Sequence, residues 1–365
     1  MATPTGTYQR VVARAATTVT EPLLLWALLA AAVGVALPQA GQRAGGLVPW
    51  LLGAMVFATG ITVPPARLSA ALRRPGRLLF ALVVQFGPLS LLAYALSRLP
   101  LDAPLSVGIL CIGVAPCEIT SGVMTLLAGG DAALGTALVA ASLLCATIVT
   151  PGLLASYAGG VAPVDRAALA QEVGLAVGAP LAAALLLRWL IAGLLVRRQA
   201  DEALLLFGDA APAPYPRLPL PGGALAAALA LVDALAPAVA ALAVLLLLFI
   251  VAGTARPVLL SADLLAAVAL SLLLNLAGYA AGWLLFRALR EPDLAVCAAV
   301  FGLGMREFGV AAVLATAVLP DAAAVAAVYG IVILITAPLL VRSYRRGLTP
   351  GPLSVFVHRA ERERR

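Results

Sequence analysis

Ten stretches of largely apolar residues dominate this 365-residue chain, near 22–37, 48–63, 78–97, 104–128, 133–157, 168–195, 234–252, 262–286, 294–318 and 321–341. A helix needs about 20 apolar residues to cross the hydrocarbon of a bilayer, and broken spans need fewer. A water-soluble chain could not hide this much apolar surface, since 63% of the residues are hydrophobic and 11% are charged. Lipid is therefore the main solvent. Gly and Pro are frequent, but the runs are rich in Ala and Leu, and membrane helices tolerate such breakers. The expected fold is an all-α membrane protein with ten transmembrane helices, the first two short and the fourth and ninth interrupted. The long polar connection runs from Arg197 to Gly223, and a basic tail follows Arg342.

Arginine placement tests that count. The chain has 24 basic residues, all of them Arg, and a net charge of +7. In a soluble domain such a balance would suggest nucleic acid. Here the arginines lie between and beyond the apolar runs, so topology accounts for them and no nucleic-acid partner is expected. With both termini in the cytoplasm, 18 of the 24 fall inside, among them Arg10, Arg14, Arg67, Arg73, Arg74, Arg77, Arg217, Arg287 and Arg290. Four fall outside (Arg43, Arg98, Arg166 and Arg256), and Arg188 and Arg306 stay within spans. That asymmetry fits an even number of spans in a cell (inner) membrane. No cleavable signal peptide is evident. Cys111, Cys117, Cys145 and Cys297 all fall in apolar runs, so no disulfide framework is expected.

The halves of the chain echo each other. Phe57 to Gly60 resembles Phe249 to Gly253; Gln85 answers to Asn275, Glu118 to Glu307, and Asp131 to Asp321, all with an offset close to 190. A repeat of five spans, an odd number, inserts its second copy upside down. The expected organisation is a cytoplasmic tail (1–20), a five-helix repeat (21–158), an inverted five-helix repeat (166–342) and a basic cytoplasmic tail (343–365). Inverted repeats with discontinuous helices mark secondary transporters that bind cargo near the bilayer midplane.

Two interruptions carry the chemistry. In the fourth span, Pro116 disfavours helix just before it, and Cys117, Glu118, Thr120, Ser121 and Gly122 follow. A second half-helix starting near Cys117 would offer free amides to an anionic group or to Glu118 itself. In the ninth span, Gly302 and Gly304 loosen the backbone just before Arg306 and Glu307. A charge at mid-membrane costs roughly 2.5–3.5 kcal/mol even on a lenient scale. Such groups need a partner or water. Adjacent helical residues point about 100° apart, so Arg306 is expected to meet Glu118 across the junction of the two breaks. Gln85 and Asn275 are lone amides in apolar spans, which interhelical hydrogen bonding could explain. Cys117 reads as a small residue at a tight crossing or as a soft ligand.

Other classes fare poorly. The one His, His358, lies in the tail, which leaves zinc chemistry without ligands, and no metal centre is expected. A serine nucleophile would lack a paired base, and Asp131 and Asp321 fall near helix ends. An intramembrane enzyme is therefore not expected, and no cofactor is implied.

Three stretches resemble the bile acid:sodium symporter family: Gly53 to Thr62 together with Gln85 and Phe86, Pro116 to Pro151, and Gly304 to Gly309. The resemblance implies ten helices in a panel and a core domain, with helices four and nine broken and crossing. It also implies secondary active transport of a small organic anion by alternating access. Carried over residue by residue, sodium ligands fall on Ser121 and Gln85 and on backbone carbonyls near Leu303 and Met305. Gly122, Gly135 and Val139 stand where the family carries side-chain oxygens, Gly302 where it has Glu, and Arg306 where it has Gln. Most ligands are therefore missing. With Glu118 and Glu307 negative and Arg306 positive, one proton would neutralise the cluster, so sodium and proton both stand as coupling ions. Ion-coupling candidates are Glu118, Glu307, Ser121, Gln85, Leu303 and Met305. Cargo candidates are Glu118, Thr120, Ser121, Arg306, Glu307, Gln85, Asn275 and Cys117. A more distant resemblance, to the arsenite efflux family, rests on Cys117 and Glu307 and implies a metalloid cargo. In either case the partners are the lipid bilayer and a small molecule.

Overall fold

The structure is a computed structural model, and it describes residues 25–63, 69, 73, 75–159, 164–207, 224–259 and 263–346. The expected N-terminal tail and the basic tail beyond 346, with Arg10, Arg14 and His358, lie outside the described residues, as do Arg67, Arg74 and Arg217, while 343–345 continue a helix. The described chain is helical and contains no strand beyond one isolated bridge. Among the described residues, seven helices are long and apolar enough to cross a membrane. Ile148 is 81% exposed, and Trp50 and Leu265 are each 79% exposed. Side chains of that size turned outwards around an apolar bundle need hydrocarbon as their solvent. The chain is a multi-pass membrane protein.

Short helices come first: α1 (Leu25–Ala36), α2 (Pro38–Ala44) and α3 (Val48–Ile61). The second apolar stretch is not short, as the sequence suggested. Pro38 opens α2, where a missing N–H is harmless, and a 3-10 turn at Gly45–Leu47 joins α2 to α3. The result is a 24-residue segment, Pro38–Ile61, that carries Arg43 within a helix rather than in a loop.

The third stretch is kinked between α4 (Pro75–Phe86) and α5 (Pro88–Ser97), because Pro88 has no amide to continue the ladder. The fourth divides into α6 (Ala103–Val114) and α7 (Ser121–Leu127), and the fifth is the 27-residue α8 (Ala132–Ala158). The sixth starts as α9 (Arg166–Val173), takes one π turn at Gly174–Gly178 and continues as α10 (Ala179–Phe207). Helix therefore extends past Arg197 into the expected polar connection, of which 208–223 lie outside the described residues.

The seventh and eighth stretches form α11 (Ala224–Leu259) and α12 (Asp263–Ala288). The ninth divides into α13 (Asp293–Gly304) and α14 (Phe308–Val318), and the tenth is α15 (Ala323–Arg345). The largest buried cluster joins α3, α6, α8, α11, α14 and α15, and a second gathers α4, α7, α12 and α13. Where α12 meets α13, a Cβ at Gly278 would collide with the Leu303 carbonyl oxygen, and one at Gly282 with that of Ala299. Small residues let these two backbones touch, which fixes α13 and hence the second break.

Candidate functional site

The first break follows from Pro116. The residue before a proline is pushed out of the α region, and Ala115 is extended, with φ −68° and ψ 150°. Helix resumes only at Ser121, later than the expected restart near Cys117. The second break is shorter. Met305 is extended, with φ −101° and ψ 121°, and α14 starts at Phe308.

The two breaks cross as a minimal antiparallel ladder. The Glu118 amide donates to the Met305 carbonyl (2.9 Å), and the Glu307 amide donates to the Pro116 carbonyl (2.9 Å). Cys117 faces Arg306. Both segments are buried, and backbone groups away from water must find partners. Side chains supply the rest. Cys117 N donates to Ser142 Oγ (2.8 Å), Arg306 N to Tyr329 Oη (3.0 Å) and Ile119 N to Glu307 Oε2 (3.1 Å). The Gly304 carbonyl accepts from Asn275 Nδ2 (2.8 Å) and Tyr329 Oη (3.1 Å), and the Val114 carbonyl from Thr150 Oγ1 (2.7 Å).

The expected Arg306–Glu118 ion pair does not form. Side chains alternate across an extended ladder, so Arg306 shares its face with Cys117, while Glu118 and Glu307 project to the other. The guanidinium donates to the Ala115 carbonyl (Nη1, 3.2 Å) and the Gln85 carbonyl (Nη2, 3.3 Å). These carbonyls end α6 and α4, where the helix macrodipoles are negative. The Gln85 amide matches its neighbours with its oxygen towards Arg306 Nη1 (3.0 Å) and Ser142 Oγ (2.7 Å). Helix ends thus take the place of a carboxylate as the partner of this buried cation.

On the opposite face the Glu118 and Glu307 carboxyls lie side by side. Glu307 caps α14, accepting from Gly309 N (3.3 Å) through Oε1 and from Ile119 N through Oε2. Glu118 Oε1 meets Thr120 Oγ1 at 3.4 Å. Glu118 Oε2, Ser121 Oγ and Asn275 Oδ1 are buried without a hydrogen-bond partner among the described residues. The residues singled out in the sequence therefore divide: Gln85, Cys117 and Arg306 on one face, Glu118, Thr120 and Glu307 on the other, and Asn275 at the end of α13. Ser121 starts α7. The Met305 carbonyl is already engaged by Glu118, and the Leu303 carbonyl packs against Gly278 of α12. Cys117 and Glu307, the pair behind the metalloid resemblance, are not brought to one face. Among the described residues no three His, Cys, Asp or Glu side chains could hold a metal together.

Beside α7 opens a cleft of about 170 Å³ lined by Thr59 and Thr62 of the α3 end, Ile119, Gly122, and Thr136 and Val139 of α8. Its threonines were not anticipated, nor were Ser142, Thr150 and Tyr329, which satisfy the breaks. Lone hydroxyls in apolar runs were the available signal, but a hydroxyl that bonds its own helix looks the same in sequence. Thr136 does this, donating to the Ala132 carbonyl (2.7 Å).

Buried charges at crossed helix breaks inside an apolar bundle define a class, the multi-pass membrane proteins with a polar centre. The chain belongs to the sodium bile acid symporter family, whose family model matches residues 49–256, more than half its length. The match includes the first break and ends before the second. The chain is 28% identical over 181 residues to "Uncharacterized sodium-dependent transporter YocS" of Bacillus subtilis (strain 168), covering 49% of this chain and 55% of that protein. It is 27% identical over 155 residues to "Probable sodium/metabolite cotransporter BASS2, chloroplastic" of Oryza sativa subsp. japonica, covering 40% of this chain and 35% of that one. The chain spans about half, or less, of the length of these relatives.

Proposed function

We propose that the chain is a secondary active transporter that moves a small organic anion across the membrane by alternating access, driven by a gradient of sodium or protons. Ten spans build it: the seven long helices, α1, and the two broken pairs α6–α7 and α13–α14. They form two inverted repeats, 21–158 and 166–342, with both termini in the cytoplasm of a cell (inner) membrane.

The supporting observation is the register of the crossing. Cys117 and Arg306 are equivalent positions at the repeat offset, and they face each other. So do the reciprocal bonds of Glu118 to Met305 and Glu307 to Pro116. An antiparallel pair in which equivalent residues oppose one another has a two-fold axis through it, and that axis reverses the chain direction between halves. Helix starts agree, with Ala103 matched by Asp293 and Ala132 by Ala323. The cargo class is carried over from the family, and the Thr-lined cleft beside the first break suits the apolar part of such a molecule.

The test uses purified protein in lipid. Small carboxylates and their neutral amide counterparts are screened for thermal stabilisation, since a ligand that binds only the folded state raises the midpoint. Hits are then followed as uptake into proteoliposomes. A carboxylate that stabilises the protein and accumulates against its gradient is the expected result. Stabilisation by the neutral compounds alone, or flux that never exceeds equilibrium, would overturn the reading.

A further inference from the structure

Resting on that transport reading, we propose that the paired carboxyls of Glu118 and Glu307 carry the coupling proton, while the Arg306 guanidinium acts as a built-in cation on the other face of the crossing. Three observations carry the assignment. The carboxyls are buried side by side with no cationic partner among the described residues, because Arg306 is turned to the ends of α4 and α6. Two adjacent carboxylates away from water repel each other and share one proton. The hydrogen bonds are also unequal. Glu307 receives an amide hydrogen bond on each oxygen, which suits the ionised form, whereas Glu118 meets the Thr120 hydroxyl at 3.4 Å, faces the Thr120 and Phe308 amides without a full hydrogen bond, and leaves Oε2 without a partner among the described residues.

The proton therefore resides on Glu118. It arrives from the aqueous phase, forms an O–H bond on one Glu118 oxygen, and takes the charge of the three groups from −1 to zero; release reverses the step with no other bond changed. Among the described residues the other ionisable groups near the crossing are Arg306, Cys117, Tyr329 and Tyr279. From α3 and α11 the nearest side chains at Gly309, beside Glu307, are Leu52 and Leu247. On the Arg306 face, the Ala115 and Gln85 carbonyls and the Gln85 amide oxygen converge on the guanidinium. A small metal cation would want those same oxygens, and the fixed positive charge keeps it out.

Infrared difference spectroscopy of the full chain in lipid, titrated from acid to alkaline pH, reads the proton without a cargo. The expected result is a buried carboxyl C=O band that disappears as pH rises, is lost in Glu118→Gln, and shifts in position in Glu118→Asp. The wild-type titration and the Asp variant keep the test decisive should the Gln variant not fold. Replacing choline chloride with sodium chloride should leave the band and the thermal midpoint unchanged. No titrating band, or a sodium-specific stabilisation that vanishes in Glu118→Gln, would overturn the proposal. A silent carboxyl region in protein that still accumulates a carboxylate sinks the proton assignment alone. A titrating band in protein that moves no cargo counts against the transport reading instead.

Discussion

Tyr329→Phe removes a single oxygen, and the structure says what that oxygen does. The phenol is fully buried on α15; its oxygen accepts from Arg306 N (3.0 Å) and its proton goes to the Gly304 carbonyl (3.1 Å). Without it, Gly304 keeps Asn275 as a donor, but the Arg306 amide is left without its partner in a dry site. An unsatisfied buried donor costs about 1–3 kcal/mol. The ring stays, so no cavity forms and the loss is that of the bond. In a protein of this size a change of about 1–3 kcal/mol lowers the unfolding midpoint by a few degrees. The comparison is Tyr279→Phe, whose ring packs on Gly304 but whose hydroxyl sits 3.4 Å from Thr336 Oγ1 and does not bond the backbone of either break. Thermal unfolding of both variants in the same lipid should show Tyr329→Phe losing clearly more. Equal midpoints would mean that the second break is not held by Tyr329, and the backbone accounting above would fail.

Further perturbations probe other parts of the argument. Gly278→Ala sets a methyl against the Leu303 carbonyl and should cost about 1–3 kcal/mol, whereas Gly193→Ala on α10, with nothing near it, should be neutral or stabilising by about 0.5–1 kcal/mol; the yield of folded protein and the unfolding midpoint report both. Arg306→Lys keeps the charge but loses the fork that spans two helix ends, so the midpoint should fall with the cation retained; an unchanged midpoint would count against helix-end binding. Arsenite tolerance of cells expressing wild type and Cys117→Ser should be equal and no better than empty cells, because Cys117 and Glu307 face opposite ways. Tolerance that depends on Cys117 would restore the metalloid reading.

What could be read from sequence was whatever rests on period, hydropathy and forbidden backbone. Pro116 and the Gly302–Gly304 pair announced their breaks because proline excludes the preceding helix and glycine tolerates its end. The offset between Glu118 and Glu307 followed from composition that lipid makes conspicuous. The Gly87–Pro88 kink and the helix past Arg197 were less legible: a kink leaves the apolar run intact, and a polar helix resembles a polar loop. The partner of Arg306 differs from the sequence expectation for a physical reason. Charge attraction picked Glu118, but the alternation of side chains in an extended segment, visible only once the segment is known to be extended and paired, turns the two apart. Backbone carbonyls at helix ends leave no trace in sequence, so such partners are not legible there.

On the proposed inverted repeat, the register of the crossing also explains why one half carries the arginine and the other does not. Cys117 and Arg306 sit opposite each other. If both repeats kept Arg at this position, two guanidiniums would share one face of a buried crossing, with a repulsion on the order of 4 kcal/mol at about 4 Å for an effective dielectric near 20. A small thiol opposite leaves room for one cation and removes that repulsion. Glu118 and Glu307 also lie together, but the proton proposed for that pair would relieve their repulsion, where nothing comparable is available to two arginines. The crossing is thus reciprocal in its backbone bonds and carries a carboxyl on each segment while holding a cation on one of them, and that asymmetry falls at Cys117 and Arg306, which the bridge places face to face.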